Sequence, residues 1–120
     1  MKHDFVCEFL RFHNQAKLLH WQTKKYARHQ AYGALYDGLT DLIDEFMEVH
    51  MGKYGRVKIS EPIAVKNMTD VQVGKFMDEL VDFLVGLNKQ YPDKADTDLL
   101  NIRDEMLGLC NKVKYLLTLD

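Results

Sequence analysis

Apolar residues recur at spacings of three and four in four separate stretches of the chain, the period of one buried helix face. The first stretch is Phe5, Phe9, Phe12, Ala16 and Leu19, and predicts a helix from about Asp4 to about Thr23. The second is Tyr32, Leu35, Leu39, Leu42, Ile43 and Phe46, and predicts a helix from about Tyr26 to about Met51, ending before Gly52. The third opens at Thr69-Asp70-Val71-Gln72, a capping-box pattern with a side-chain oxygen followed three residues later by an amide. Its apolar side is Val73, Phe76, Met77, Leu80, Phe83, Leu84 and Leu87, and it stops near Tyr91-Pro92. The fourth starts near Asp96-Thr97-Asp98, with acids at the positive end of the helix dipole. It carries Leu99, Ile102, Met106, Leu109, Val113 and Leu116.

The connections set the expected topology. The breaks at Thr23–Tyr26 and Pro92–Ala95 are short and predict antiparallel hairpins. The segment from Lys53 to Met68 is long, and Val57, Ile59, Pro62, Ile63 and Val65 make it read as extended. At ~3.3 Å per residue it reaches about 50 Å, whereas a 20-residue helix is only ~30 Å long. It is therefore long enough to cross the bundle and start the third helix at the end where the second starts. The expected fold is all-α, a single domain over 1–120 forming a four-helix bundle with a long crossover between helices 2 and 3, the layout of ferritin-like proteins. An up-down bundle with a loose loop is the plainer alternative.

Composition narrows the classes of function. The formal net charge is −2, so no global basic field points to DNA or RNA. Cys7 and Cys110 show no metal-type spacing and read as free buried thiols of a reducing compartment. Met1-Lys2-His3-Asp4 runs straight into an amphipathic pattern, without the features of a signal peptide. No apolar run reaches the length of a membrane span. These features predict a cytoplasmic protein.

Candidate chemistry concentrates in the first two helices. Asp44 and Glu48 are four apart and share one helix face. Stepping back along that face passes Thr40, then Asp37 or Tyr36, then Gly33, and arrives at His29. His20 lies near the end of the first helix, and His13 sits seven residues earlier on a neighbouring face. Imidazoles with carboxylates suit iron, zinc or manganese. The candidate ligands are His20, His29, Asp44 and Glu48, with His13 and Asp37 as weaker ones. The plainer reading makes His20 a buried, hydrogen-bonded imidazole beside a core Trp21, and the two acids a solvated face. His3 and His50 read as solvated, as does Glu45. Tyr26, Tyr32 and Tyr36 read as core. Lys24, Lys25 and Arg28, like Lys53, Arg56 and Lys58, read as solvated basic residues at helix ends. No Glu-x-x-His pair occurs, which argues against a di-iron site contained in one chain.

Leu19-His20-Trp21, His29 and Asp44-Glu45-Phe46-Met47-Glu48, taken in order, resemble the ferroxidase signature of the Dps family, the miniferritins. Asp96 to Leu100 and Lys112 to Leu116 resemble that family's last helix. The chain also resembles small uncharacterised proteins of phages and other viruses, which implies host cytoplasm as its location. The miniferritin resemblance implies iron(II) binding and oxidation, with peroxide as oxidant, at sites shared across a twofold axis. Carried over, His20 and His29 of one subunit face Asp44 and Glu48 of its partner.

Four departures shape the expectation. Gly33 stands where the family carries an acid, the spacing between the histidines is shorter, the small helix of the long connection is missing, and there is no basic N-terminal tail. They predict a homodimer rather than a dodecamer, weak ferroxidase activity and no nucleic-acid binding. The rival expectation is a non-enzymatic helical protein that dimerises through these polar residues.

Overall fold

The computed structural model describes residues 4–119. Four α-helices make up the fold: α1 (Asp4–Gln22), α2 (Tyr26–Tyr54), α3 (Val73–Gly86) and α4 (Thr97–Leu116). No strand occurs among the described residues. Short 3₁₀ turns precede α3 (Asp70–Gln72), follow it (Leu87–Lys89) and precede α4 (Lys94–Asp96). His3 lies outside the described residues.

The predicted apolar stripes form one shared core. Phe9, Phe12 and Leu19 of α1, Leu35, Leu39 and Phe46 of α2, Phe76 and Leu80 of α3, and Leu99 and Met106 of α4 are all buried in it. Each such side chain contributes about 1.5–3 kcal/mol by leaving water. Leu42, Phe83, Leu109 and Leu116 are only partly buried, and Cys110 takes a core position on α4. Burial pushes the Cys110 thiol up to about 12, so it stays protonated and inert. Cys7 is half-buried rather than buried.

Boundaries follow local chemistry. Gln72 Oε1 accepts the Thr69 backbone N–H at 2.8 Å, as the capping pattern predicts. The second helix runs past its expected end at Met51, through Gly52 to Tyr54. It stops at Gly55, whose φ of 91° only glycine adopts without strain, and whose N–H closes on the Met51 carbonyl. Gly52, inside the helix, adopts no such angle. A glycine in the sequence marks a possible helix end but does not choose between two nearby ones.

Two buried polar residues tie the fold together. Arg103 on α4 donates to the Leu84 carbonyl and to Asn88 Oδ1, both at 2.8 Å, and so satisfies acceptors at the end of α3. Gln15 on α1 uses its whole amide on one residue of the long connection: Nε2 donates to the Lys66 carbonyl at 2.8 Å, and Oε1 accepts the Lys66 N–H at 3.0 Å. Further along, Gln22 donates to Asn67 Oδ1, and Asp70 accepts the hydroxyls of Tyr32 and, more distantly, Thr23. The other end of α2 is tied to the start of α4, where Tyr54 donates to Asp96 and Lys53 reaches Asp96 and Asp98. Among the described residues no helix is long and apolar enough to cross a membrane.

Candidate metal centre on the α1–α2 face

His20 and His29 come together where α1 ends and α2 begins. Their rings stack with centroids 3.8 Å apart and planes 18° from parallel. The hydrogen bonds are reciprocal: His20 Nδ1 bonds the His29 carbonyl at 2.7 Å, and His29 Nδ1 bonds the His20 carbonyl at 2.8 Å. A carbonyl only accepts, so both Nδ1 atoms carry hydrogen. In the neutral rings both Nε2 atoms are then lone-pair donors. Both side chains are half-buried, which leaves the pair within reach of solvent.

Gly33 makes room for this pair. A Cβ there would sit 3.0 Å from both Cε1 and Nδ1 of His20, tighter than ordinary packing, against a ring already fixed by its hydrogen bond. In sequence the position resembles a missing acid; in the folded chain it is the floor under the His20 ring. A carboxylate introduced at 33 would push that ring aside.

The rest of the polar face continues along α2. The Tyr36 ring lies 5.4 Å from His20 and 6.2 Å from His13. His13 Nε2 meets Thr40 Oγ1 at 2.6 Å. The Thr40 hydroxyl gives its single hydrogen to the Tyr36 carbonyl, so His13 Nε2 is the donor and does not present a lone pair there. His13, Thr40 and Asp44, with Leu10 and Ile43, line a small cavity of about 120 Å³. Asp37, Asp44 and Glu48 are exposed, as is Glu45.

The structure does not bring the four candidate ligands together within one chain. His29 and Asp44 are fifteen positions apart on one helix, about 22 Å along its axis. Among the described residues no group of three or more His, Cys, Asp or Glu side chains is placed to hold an ion. The histidine pair and the two carboxylates are separate groups along α2.

Several assignments from the pattern change. Trp21, which the plainer reading of His20 placed in the core, is 65 % exposed, and Tyr26, read as core, is 76 % exposed. Tyr32 is buried as expected, and Tyr36 is half-buried. Burial lifts the Tyr32 hydroxyl to about 12; Arg28 opposes the rise and Asp70 adds to it. His50, read as solvated, is fully buried at the far end of α2, where its Nδ1 meets the Tyr91 hydroxyl at 2.7 Å. Its position four residues after Phe46, which is itself on the buried stripe, was the available signal.

The chain belongs to a family of unknown function, DUF5856, whose model matches residues 20–117. That span takes in His20, His29, Asp44 and Glu48 and leaves out most of α1. A relative from Enterobacteria phage T4, an uncharacterized 14.6 kDa protein in the mobD-ri intergenic region, is 36 % identical over 102 residues. The alignment covers 84 % of this chain and 75 % of the relative. No solved structure matches the fold.

Proposed function

We propose that this protein is a ferritin-like metal-binding protein that holds iron, with zinc or manganese as alternatives, at a site completed by two copies of the chain. The observation that carries this reading is the reciprocal pairing of His20 and His29. Each ring is fixed by an Nδ1–H bond to a backbone carbonyl, the arrangement that orients ligand histidines from behind, and each keeps its Nε2 lone pair.

The carboxylates complete the donor set from a second molecule. Asp44 and Glu48 are exposed and lie about 22 Å and about 28 Å from His29 along the same helix. Two copies packed antiparallel along α2 bring the imidazoles of each against the carboxylates of the other. Charge favours that register: residues 37–48 carry five acids and no base, while residues 17–28 carry four bases and no acid. The ties at Lys66, Asp70 and Tyr54 support a crossover between α2 and α3 of the ferritin-like kind. The phage relative supports residence in a host cytoplasm.

Bound ferrous iron would be the substrate: two ferrous ions would each give one electron to a peroxide, which with two protons leaves as water, and both ions would become ferric. The imidazoles bind and orient the ion, and the carboxylates stabilise the harder ferric state. With Gly33 in place of an acid, one carboxylate fewer is available, and turnover under peroxide is weak. The test is zinc or ferrous titration of the full chain, read by metal content and thermal shift. One ion or more per two chains, lost in His20→Ala, is the expected result. No metal uptake at neutral pH overturns it.

The same charge pattern favours one second reading, a non-enzymatic dimer that uses this face without metal. Sedimentation in a chelator separates the two. Full dimerisation together with no metal uptake would support the second reading, and a strict monomer would remove both.

A further inference from the structure

Met68 is the last residue of the long connection before the Thr69 cap, and the chain is held on both sides of it. On one side Gln15 of α1 clasps both backbone groups of Lys66, and Gln22 of α1 donates to Asn67 Oδ1. On the other, the Thr69 N–H is taken by Gln72. The Met68 side chain itself is half-buried and packs against the core. It lines two cavities. One, of about 320 Å³, is bounded by the exposed Lys66, Lys75 and Glu79 and by the buried Phe76. The other, of about 430 Å³, has Leu19 and Asp70 among its walls. The first lies wholly on the connection and the start of α3. It takes no residue from α1 or α2, so a second copy packed along α2 does not draw on its lining.

Met77 and Met106 are buried, and Met47 and Met51 are half-buried on α2. Only at Met68 do two cavities give a small oxidant room to reach the sulfur and give the side chain room to move. We propose that Met68 is a modification site, oxidised by peroxide, whose sulfoxide releases the long connection from α1. In the step, a sulfur lone pair attacks one oxygen of hydrogen peroxide. The S–O bond forms as the O–O bond breaks. The departing hydroxide takes the proton of the new S–OH group and leaves as water. The sulfur loses two electrons and the peroxide gains them, so no further reactant is needed. The product is polar where the thioether was apolar. Left in place, it sets an S=O dipole among Leu19 and Phe76, and burying such a group without a partner is unfavourable. Turned out to water, it pulls on Asn67 and Lys66, and the bonds from Gln22 and Gln15 are the ones that yield. The proposal uses neither the imidazole pair nor Asp44 and Glu48, and it stands or falls apart from the metal reading.

Treating the full chain with hydrogen peroxide in a chelator, followed by peptide mass analysis, should add one oxygen at Met68 before Met47 or Met51. The bond after Lys66 reports release, because trypsin must take hold of backbone that Gln15 holds in the intact fold. Cleavage there should become at least about fivefold faster once Met68 is oxidised. Met68→Leu keeps the volume without an oxidisable sulfur and should cancel the effect of peroxide. Met68→Gln puts a polar chain of similar length at the site and should speed cleavage with no peroxide at all. Oxidation of Met47 or Met51 ahead of Met68 would overturn the proposal. So would unchanged cleavage after Met68 is oxidised, or a Met68→Gln chain cut at the wild-type rate. Equal acceleration by peroxide in Met68→Leu would also overturn it, since the sensitive group would then lie elsewhere.

Discussion

The two ends of α2 both carry histidine, and they use it in opposite ways. Near Tyr54, His50 is fully buried among Phe5, Tyr54 and Tyr91, with ring centroids 5.3 to 5.8 Å away, and its Nδ1 meets a tyrosine hydroxyl. Near Tyr26, His20 and His29 are half-buried, bond only backbone through Nδ1, and keep Nε2 for something else. The first arrangement consolidates the fold, and the second leaves donor atoms to be used. Burial combined with the identity of the hydrogen-bond partner separates a structural histidine from an available one; residue type and helical spacing do not.

The contrast can be broken most forcefully at the buried end. Tyr91→Ala removes a ring packed against Phe5, Phe46 and His50, and should cost about 3–5 kcal/mol in chemical denaturation. A loss below 1 kcal/mol would mean that this end is not the consolidated one.

Asp96→Ala should come next, at about 1–3 kcal/mol, because it leaves Tyr54 and Lys53 without the carboxylate they share. The pH dependence has a definite sign. Burial pushes the Asp96 carboxyl up, but the bonds from Tyr54 and Lys53 outweigh it and hold it below its ordinary value. A depressed carboxylate stabilises the fold above the ordinary range, near pH ~4, and that contribution is lost as pH falls through the depressed value. Acid denaturation curves should therefore separate wild type from Asp96→Asn, with the variant losing less stability on acidification.

At the open end the effects on stability are smaller and those on binding larger. Gly33→Ala gains about 1 kcal/mol of helix propensity but strains the His20 ring by about 1–3 kcal/mol. A net loss on the order of 1 kcal/mol is expected, together with loss of metal uptake. Unchanged metal content in this variant would detach Gly33 from the site. The smallest effect is expected for Trp21→Ala and Tyr26→Ala, within about 0.5 kcal/mol, since neither ring is in the core. A larger loss would show that these rings already pack against a second copy.

Much of this architecture could be read from the chain. Four apolar stripes of period 3.6 located four helices, and the Thr69–Gln72 cap marked where the third segment starts. These features are local: a helix face and a cap are set by residues within one or two turns. What could not be read was set by distant neighbours. Gln15 gave no hint that it would hold Lys66, fifty-one residues away, nor Arg103 that it would hold the end of α3. Tyr26 and His50 exchanged their expected environments because packing between helices, not residue type, decides which side of a stripe is covered. The histidine pair was legible as two candidates. Their mutual stacking depends on the tight α1–α2 turn and on the space at Gly33, neither of which spacing reveals.

The connection between Tyr54 and Asp70 has a consequence for how the chain assembles. It contains no helix or strand and is tied to α1 chiefly through Gln15 and Gln22, so it holds the two hairpins together while adding little to the core. Closing so long a loop slows the meeting of its ends but costs only a few kcal/mol in entropy. The α1–α2 hairpin and the α3–α4 hairpin can each form from near neighbours before they meet. A chain cleaved between Ser60 and Glu61 should therefore yield two fragments that recombine when mixed, at a rate set by their concentration rather than by the length of the tether.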